Sequence, residues 1–513
     1  RQDAQARIWE QQLPKIYPDS RYAHRMPIGT IDVIDNFKPD ELRDYYHKWY
    51  RPDLQAIIIV GDINVDQVET AVKRIFADIP APINAAPRPM FEVPDNDMPL
   101  ISVATDKEAS NTILSISYKH DKMPQDMYGT IAGLVKDYIQ SVAATMMNER
   151  FNEMVQKANP PFVAAQASDG DFMISKTKGA WSVAALVKDN EVDSAMNALV
   201  TETQRVKQFG FTPSEYDRAR INVLKQYESL YNDRDKQRNS TFTKEYVRHF
   251  TEGGYIPGIE TEYALISQVA QAVPVEQVNK YIQDMIGDTN IVISLTGPEK
   301  EGLAYPTDEE LLRDFMKAQQ IPVEPYRETL SDEPLIPSLP APGKITESKE
   351  DPLFGATVLT LSNGIKVVLK HTDFKKDEIQ MTATSPGGST LFGNKDIDNL
   401  KVFNEVIELG GLGNFSATDL GKMLAGKKVS CSTSLGLDSE NVNGSSTPSD
   451  LKTLFELIYL SFTAPRMDEE AYASFENRMK AQLKNLELNP MVAFSDSLTK
   501  AIYNNNPRAM RID

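Results

Sequence analysis

The sequence predicts an α+β protein built from repeated layered units, and three stretches carry that prediction. The first is Tyr46 to Glu69, YHKWYRPDLQAIIIVGDINVDQVE, which reads as helix end, turn, apolar strand, turn and helix start. The second is Val275 to Phe315, where helix, turn, apolar strand, glycine and helix recur in the same order. The third is ATVLTLSNGIKVVLK, two β-rich runs flanking Asn363-Gly364, the dipeptide favoured in tight hairpins with a type I′ turn.

Each element has a local reason. Arg51-Pro52-Asp53 stops the first helix, because proline cannot continue it and disfavours helical angles in the residue before it. Ala56 to Val60 is a short β-branched run, suited to a strand covered on both faces. Gly61-Asp62 ends it, and Asn64 is placed to cap a helix running towards Phe76. Upstream, residues 1 to 20 predict a helix stopped by Tyr17-Pro18-Asp19. Pro39 then opens a helix to Tyr50, whose Leu42, Tyr45, Tyr46 and Trp49 recur at helical spacing and are expected core contacts.

Pro80 to Pro99 holds six prolines and no periodicity. We read residues 1–80 as the C-terminal part of a first domain and 81–99 as a connector. Residues 100–321 form a second domain: strands over 100–119, a long helix over 126–157, strands over 161–187, helices over 191–209, and Pro213 to 251 helical with a break near Asn232-Asp233. In the repeat, Tyr281 aligns near Trp49, Ile291 to Ile293 near the first strand, and Gly297 near Gly61, which suggests duplication. Pro322 to Gly355, with seven prolines and seven acidic residues, is expected to be a tether without regular structure. Residues 356–513 form a third domain that ends in helices, an incomplete one on this reading.

Composition narrows function. Of 513 residues 41% are hydrophobic, enough for several cores, and the net charge is -18. Nucleic-acid binders carry a basic footprint, so that partner class is disfavoured. The apolar runs fall short of the ~20 residues a membrane span needs. The single cysteine, Cys431, excludes a disulfide within the chain and reads as a small core residue.

Chemistry is sparse. The five histidines, His24, His47, His120, His249 and His371, stand in no metal-binding spacing and read as surface or interface residues. No nucleophile elbow, Walker loop or dinucleotide fingerprint occurs. GGLGNF at Gly410 to Phe415 reads as a helix C-cap and turn. Glu149 and Glu153, one helical turn apart, read as a solvated face.

The order of the pieces is informative. YAHRMPIGT followed by KPDELRDYYHKWYRPDLQAIIIVGDINVDQVETAVKRIFADIP is similar to the end of the first domain in the pitrilysin/insulinase (inverzincin) family of zinc metallopeptidases. MMNERFNEMVQ with TPSEYDRARINVL resembles that family's metal-free second domain, and LSNGIKVVLKHTDFKKDEIQMTATSPGGST the opening of its third. The resemblance implies a pitrilysin-type fold of repeated domains, each a mostly antiparallel sheet packed with helices, in two tethered halves around a chamber for peptide substrates.

In that family H-x-x-E-H supplies two zinc ligands and the general base, a later glutamate supplies the third ligand, and both precede the first stretch quoted. Glu10 is too close to Gly29 to be that glutamate. The resemblance therefore implies a fragment without catalytic or metal residues of its own, with zinc in the parent protein and none in this chain. Its partners would be the missing N- and C-terminal portions, including a fourth domain with the substrate-contacting Arg and Tyr. The third domain's equivalent of the motif is degenerate, with Val402 and Val406 at the histidine positions and Glu405 at the base position. The same resemblance raises an inactive scaffold or peptide-binding homologue as the alternative, and points to periplasm or cell envelope.

Overall fold

The computed structural model describes residues 3–27, 29–328 and 331–512. Packing divides them into two compact units, one of Arg1–Arg220, Arg238–Arg327 and Ala473–Asp513, the other of Ile221–Gln237 and Glu328–Tyr472.

In the first unit, helix α1 (Ala4–Ile16) buries Ile8, Leu13 and Ile16 and ends at Tyr17, as expected from Tyr17-Pro18. Tyr17 is fully buried; its hydroxyl donates to the Phe172 carbonyl at 2.6 Å and accepts from the Ile174 amide at 3.2 Å. Helices α2 (Ile31–Asn36), α3 (Pro39–Trp49) and α4 (Val65–Ile75) follow, α4 capped by the Asn64 side chain accepting from the Gln67 amide at 3.0 Å.

Two expectations fail here. Ala56 to Val60 joins no ladder, and α2, α3 and α4 bury no residue. Leu42, Tyr45 and Tyr46, expected in a core, are 60%, 58% and 56% exposed. Caps and turns form from neighbours in sequence, whereas a ladder and a core need an apposed surface. Among the described residues no such surface meets this stretch.

Residues 80–99 contain no helix or strand until Leu100. Their second half is nevertheless pinned: Val93 is buried, Ser20 donates to the Glu92 carbonyl at 2.8 Å, and Lys119 to that of Pro94 at 2.6 Å.

The elements that follow are β1 (Leu100–Asp106), β2 (Thr112–Asp121), α5 (Ile131–Val155), β3 (Ala164–Asp171), β4 (Lys178–Val187), α6 (Val192–Phe209) and α7 (Pro213–Asn232). Next come α8 (Asn239–Glu252), α9 (Ile259–Ala272), α10 (Val275–Met285), β5 (Ile291–Pro298) and α11 (Asp308–Ala318). The break expected near Asn232-Asp233 separates α7 from α8. The sheet order is β1-β5-β2-β4-β3, parallel at β1/β5 and antiparallel elsewhere.

Side chains alternate between the faces of this sheet. Register places Trp181, Tyr118 and Ile291 side by side, with Val183, Ile116 and Ile293 in the next row, and all six are buried. On the opposite face Ala180 and Val292 join Leu13, Ile16, Tyr17 and Phe172 in one core cluster. The segment α10–β5–α11 thus places its strand inside a sheet, where the similar run Ala56 to Val60 has no strand partner among the described residues.

In the second unit β6 (Ile345–Asp351), β7 (Ala356–Leu361) and β8 (Lys366–Leu369) form an antiparallel sheet, and β9 (Ile379–Pro386) opens another. The tether expected over 322–355 therefore contains a strand. ITESKED is polar and exposed, so no apolar alternation announced it; it is ordered by the ladder with β7 and by Thr357 donating to Glu350 at 2.8 Å. The hairpin at Asn363-Gly364 forms with a different turn. Only Gly364 has positive φ (+88°), and the Gly364 amide donates to Leu361 and that of Leu361 to Ile365. This is a type I turn with a glycine bulge rather than type I′.

The unit continues with α12 (Ile397–Val406), α13 (Ala417–Met423), β10 (Val429–Leu435), β11 (Ser439–Ser446) and α14 (Leu451–Thr463), in sheet order β10-β11-β9. Helices α15 (Glu469–Leu483) and α16 (Pro490–Ile502) follow. The division between the units falls inside α7, after Arg220, and inside α15, after Tyr472, so that α16 belongs to the first unit.

Candidate functional site

Helix α12 carries the positions singled out in the sequence. β9 leads into it through Gly387 and Gly388. Gly388 has φ +80°, and a Cβ there would stand 2.5 Å from the Ser439 amide, so this crossing over the β10–β11 turn accepts only glycine. Asn404 fixes the helix on β10: it accepts from the Leu435 amide at 2.7 Å and donates to the Leu435 carbonyl at 3.3 Å. Val402 and Val406 are half-buried and Glu405 is exposed. Valine offers no lone pair to a metal, and no group of three or more His, Cys, Asp or Glu among the described residues could hold one. These positions do not fit a zinc ion.

Four histidines lie apart from one another. His24 and His371 are on exposed loops, His47 is exposed on α3, and His249 lies near the end of α8, with Nδ1 against the Gly254 carbonyl. His120 differs. Its Nε2 bonds Asp169 Oδ1 at 2.8 Å and its Nδ1 the Asp121 carbonyl at 2.9 Å. Tyr281, from α10, donates to the other Asp169 oxygen at 3.0 Å.

The contact between His120 and Asp169 crosses a strand. His120 pairs with Gly179 on β4, and Asp169 lies beyond β4 on β3. A Cβ at Gly179 would stand 2.6 Å from His120 Cε1, so the ring passes only because residue 179 is glycine. Burial disfavours charge on both partners. Even so, the mutual hydrogen bond and charge raise the His120 pKa above 6.5 and lower that of Asp169 below 3.8. The site holds a proton between two buried groups and carries no nucleophile. Sequence reading treated His120 as ordinary surface; the glycine inside an otherwise apolar strand was the available sign.

A second buried polar centre lies on α5. Arg150 donates to Glu215 at 2.6 and 2.9 Å and to Glu202 at 2.9 Å, all three side chains being at most 3% exposed. The guanidinium carbon lies 5.0 Å from the ring centre of Phe211 and 4.3 Å from that of Tyr326. Glu149 and Glu153, expected to be a solvated face, are partnered: Glu149 with Arg218 at 3.7 Å, and Glu153 accepting from the Tyr326 hydroxyl at 2.7 Å. Helix periodicity gave no indication that the chain after α11 returns to cover α5.

Comparison with known proteins follows the same lines. Residues 36–223 match the family model for the Peptidase M16 inactive domain. The "Zinc protease PQQL-like" protein of Arabidopsis thaliana is 25% identical over 510 residues, covering 98% of this chain and 47% of that protein. The "Probable zinc protease PqqL" of Escherichia coli K12 is 21% identical, covering 98% and 53%. The chain therefore spans about half the length of the curated relatives it matches. Among solved structures, the periplasmic protease PqqL of Escherichia coli aligns with TM-score 0.57 at 19% identity, covering all of this chain and 56% of the other. The ferredoxin protease FusC, in complex with Arabidopsis ferredoxin, aligns with TM-score 0.59 at 21% identity, covering 97% and 55%.

The mostly antiparallel sheets packed with helices define a pitrilysin-type α+β protein. The chain is similar to the Peptidase M16 inactive domain over residues 36–223 and to zinc proteases over nearly its whole length.

Proposed function

We propose that this chain is the non-catalytic body, chamber wall and hinge, of a zinc-dependent endopeptidase that hydrolyses peptides. On this proposal residues 1–80 are the end of a first, catalytic-type domain, 100–321 a metal-free second domain, and 356–513 a catalytically silent third domain. Zinc belongs to the parent protein's first domain and not to this chain. The carrying observation is the stretch Ile31 to Ile83: capped helices and an extended β-branched run present Leu42, Ile57, Ile59, Val65 and Phe76 to solvent with no core of their own. Half an α/β layer of this kind is completed by further strands and helices, which we assign to the parent's N-terminal portion. The periplasmic relative supports an exported parent.

A second reading is an inactive homologue that acts as scaffold or peptide-binding subunit. The valines at 402 and 406 favour it, since on the proposed register they stand where a zinc motif would carry its two histidines. One experiment separates the two. The full-length parent and the 513-residue chain are purified and assayed with a quenched fluorescent peptide, with and without a zinc chelator. We expect chelator-sensitive cleavage by the parent alone. An inactive, zinc-free parent would leave the scaffold reading, and chelator-sensitive cleavage by the chain itself would overturn both.

A further inference from the structure

The second unit contains a cavity of about 320 Å³ between the end of α12, α13, β10 and α14. Leu412, Leu420, Leu424 and Leu457 supply much of its apolar wall, and polar residues line the remainder. Cavities of this size and lining, with a few placed polar groups, are typical of small-molecule sites. The rim is built rather than loose. The Leu412 amide donates to the Phe415 carbonyl at 3.0 Å and the Gly413 amide to that of Ala464 at 2.8 Å, while Arg466 donates to the Gly410 carbonyl at 2.8 Å. A Cβ at Gly410 would fall 1.9 Å from the Arg466 carbonyl oxygen, so the loop closes this tightly only with glycine. The GGLGNF stretch, expected as a helix C-cap, begins three residues beyond the C-cap Ile407 of α12 and is a turn at the pocket rim.

Of the five polar residues that line it, Glu408, Ser430, Cys431, Thr433 and Ser461, Glu408 is the one carboxylate. Glu408 lies exposed in its lining and forms no ion pair among the described residues. No Lys or Arg lines the cavity, and the C-terminal end of α12, which favours positive charge, lies beside it. Deeper, Cys431 Sγ and Ser461 Oγ lie 4.0 Å apart, and burial, reinforced by the charge of Glu408, raises the thiol pKa and keeps it protonated.

We propose that this cavity binds a compact apolar molecule bearing one cationic amine, its tail among the leucines and its amine against Glu408. The inference is independent of the peptidase reading. Because Cys431 is the only thiol in the chain, its modification by methyl methanethiosulfonate reports on occupancy by mass. We would compare hexylamine, hexanol and hexanoate as probes. Hexylamine at about five times its Kd should slow modification about sixfold, hexanol less at equal concentration, and hexanoate not at all. Glu408→Gln should reduce hexylamine to the level of hexanol, and Leu424→Trp, which fills the cavity, should abolish protection by both. Thermal shifts with the same three probes give the same ranking even if the thiol reacts slowly. Absence of both protection and thermal shift with hexylamine, equal effects of hexanoate, or an amine preference that survives Glu408→Gln would overturn the proposal.

Discussion

Replacing Arg150 by alanine is expected to destabilise the first unit by about 3–5 kcal/mol, because it leaves the buried Glu215 without a counter-charge and Glu202 with Arg205 alone. Arg150 is nearly solvent-free and supplies three hydrogen bonds to Glu202 and Glu215, a fourth at 3.2 Å to the Gly210 carbonyl, and a flat cation between Phe211 and Tyr326. Burial works against its charge, and the two glutamates more than restore it, raising its pKa. Urea unfolding followed by tryptophan fluorescence measures the loss. Replacing all three ionic residues by apolar ones of similar size should cost far less, since the penalty lies in the orphaned charges rather than in the missing attraction. A single Arg150→Ala chain within about 1 kcal/mol of wild type would show that the carboxylates escape to water and that the cluster is not buried in solution.

Asp169→Asn is expected to cost about 1–3 kcal/mol at pH 6 and less at alkaline pH. The direction follows from the two shifts. His120 is raised above 6.5 in the folded chain, so the stability it contributes is complete below pH 6.5 and fades as pH rises through its folded value. Asp169 is lowered below 3.8, so its contribution is present above pH 3.8 and is lost as pH falls through its folded value. Between those limits the pair is fully charged. Asparagine keeps the shape and can still meet Tyr281, but it removes the charge that holds the His120 proton. Thermal unfolding of both proteins from pH 5 to 9 tests this, with Tm differences expected to narrow on the alkaline side. A difference that stays constant with pH would mean that His120 is neutral throughout.

How much of this was readable in advance depended on the range of the interaction. Asn64 as a cap, Tyr17-Pro18 as a stop and the hairpin at Asn363-Gly364 depend on a few neighbouring residues, and all three appear at the expected positions. The family signature was readable for a similar reason, being a run of local punctuation in a fixed order. The strand at β6 was missed because its order comes from β7 and not from its own side chains. His120–Asp169 depends on register across three strands and on one glycine, and Arg150 on glutamates 52 and 65 residues away. No spacing rule reaches that far. At α12 the expected positions lie on one helix, but whether they once held a metal is a matter of descent that packing does not address.

The run Gln55 to Val60, QAIIIV, has a further consequence for anyone handling this protein. Its counterpart in the repeat, Ile291 to Pro298, is shielded by neighbours on both edges. Among the described residues QAIIIV has neither neighbour, and its Ile57 and Ile59 are about half exposed, at 52% and 50%. Six uncharged, largely β-branched residues without proline are the composition from which cross-β fibrils grow. Concentrated solutions of the isolated chain should therefore become thioflavin-positive with time, and Ile57→Lys should delay this without loss of helical signal. The segment that most plainly announces the fold is also the one that will seed its aggregation.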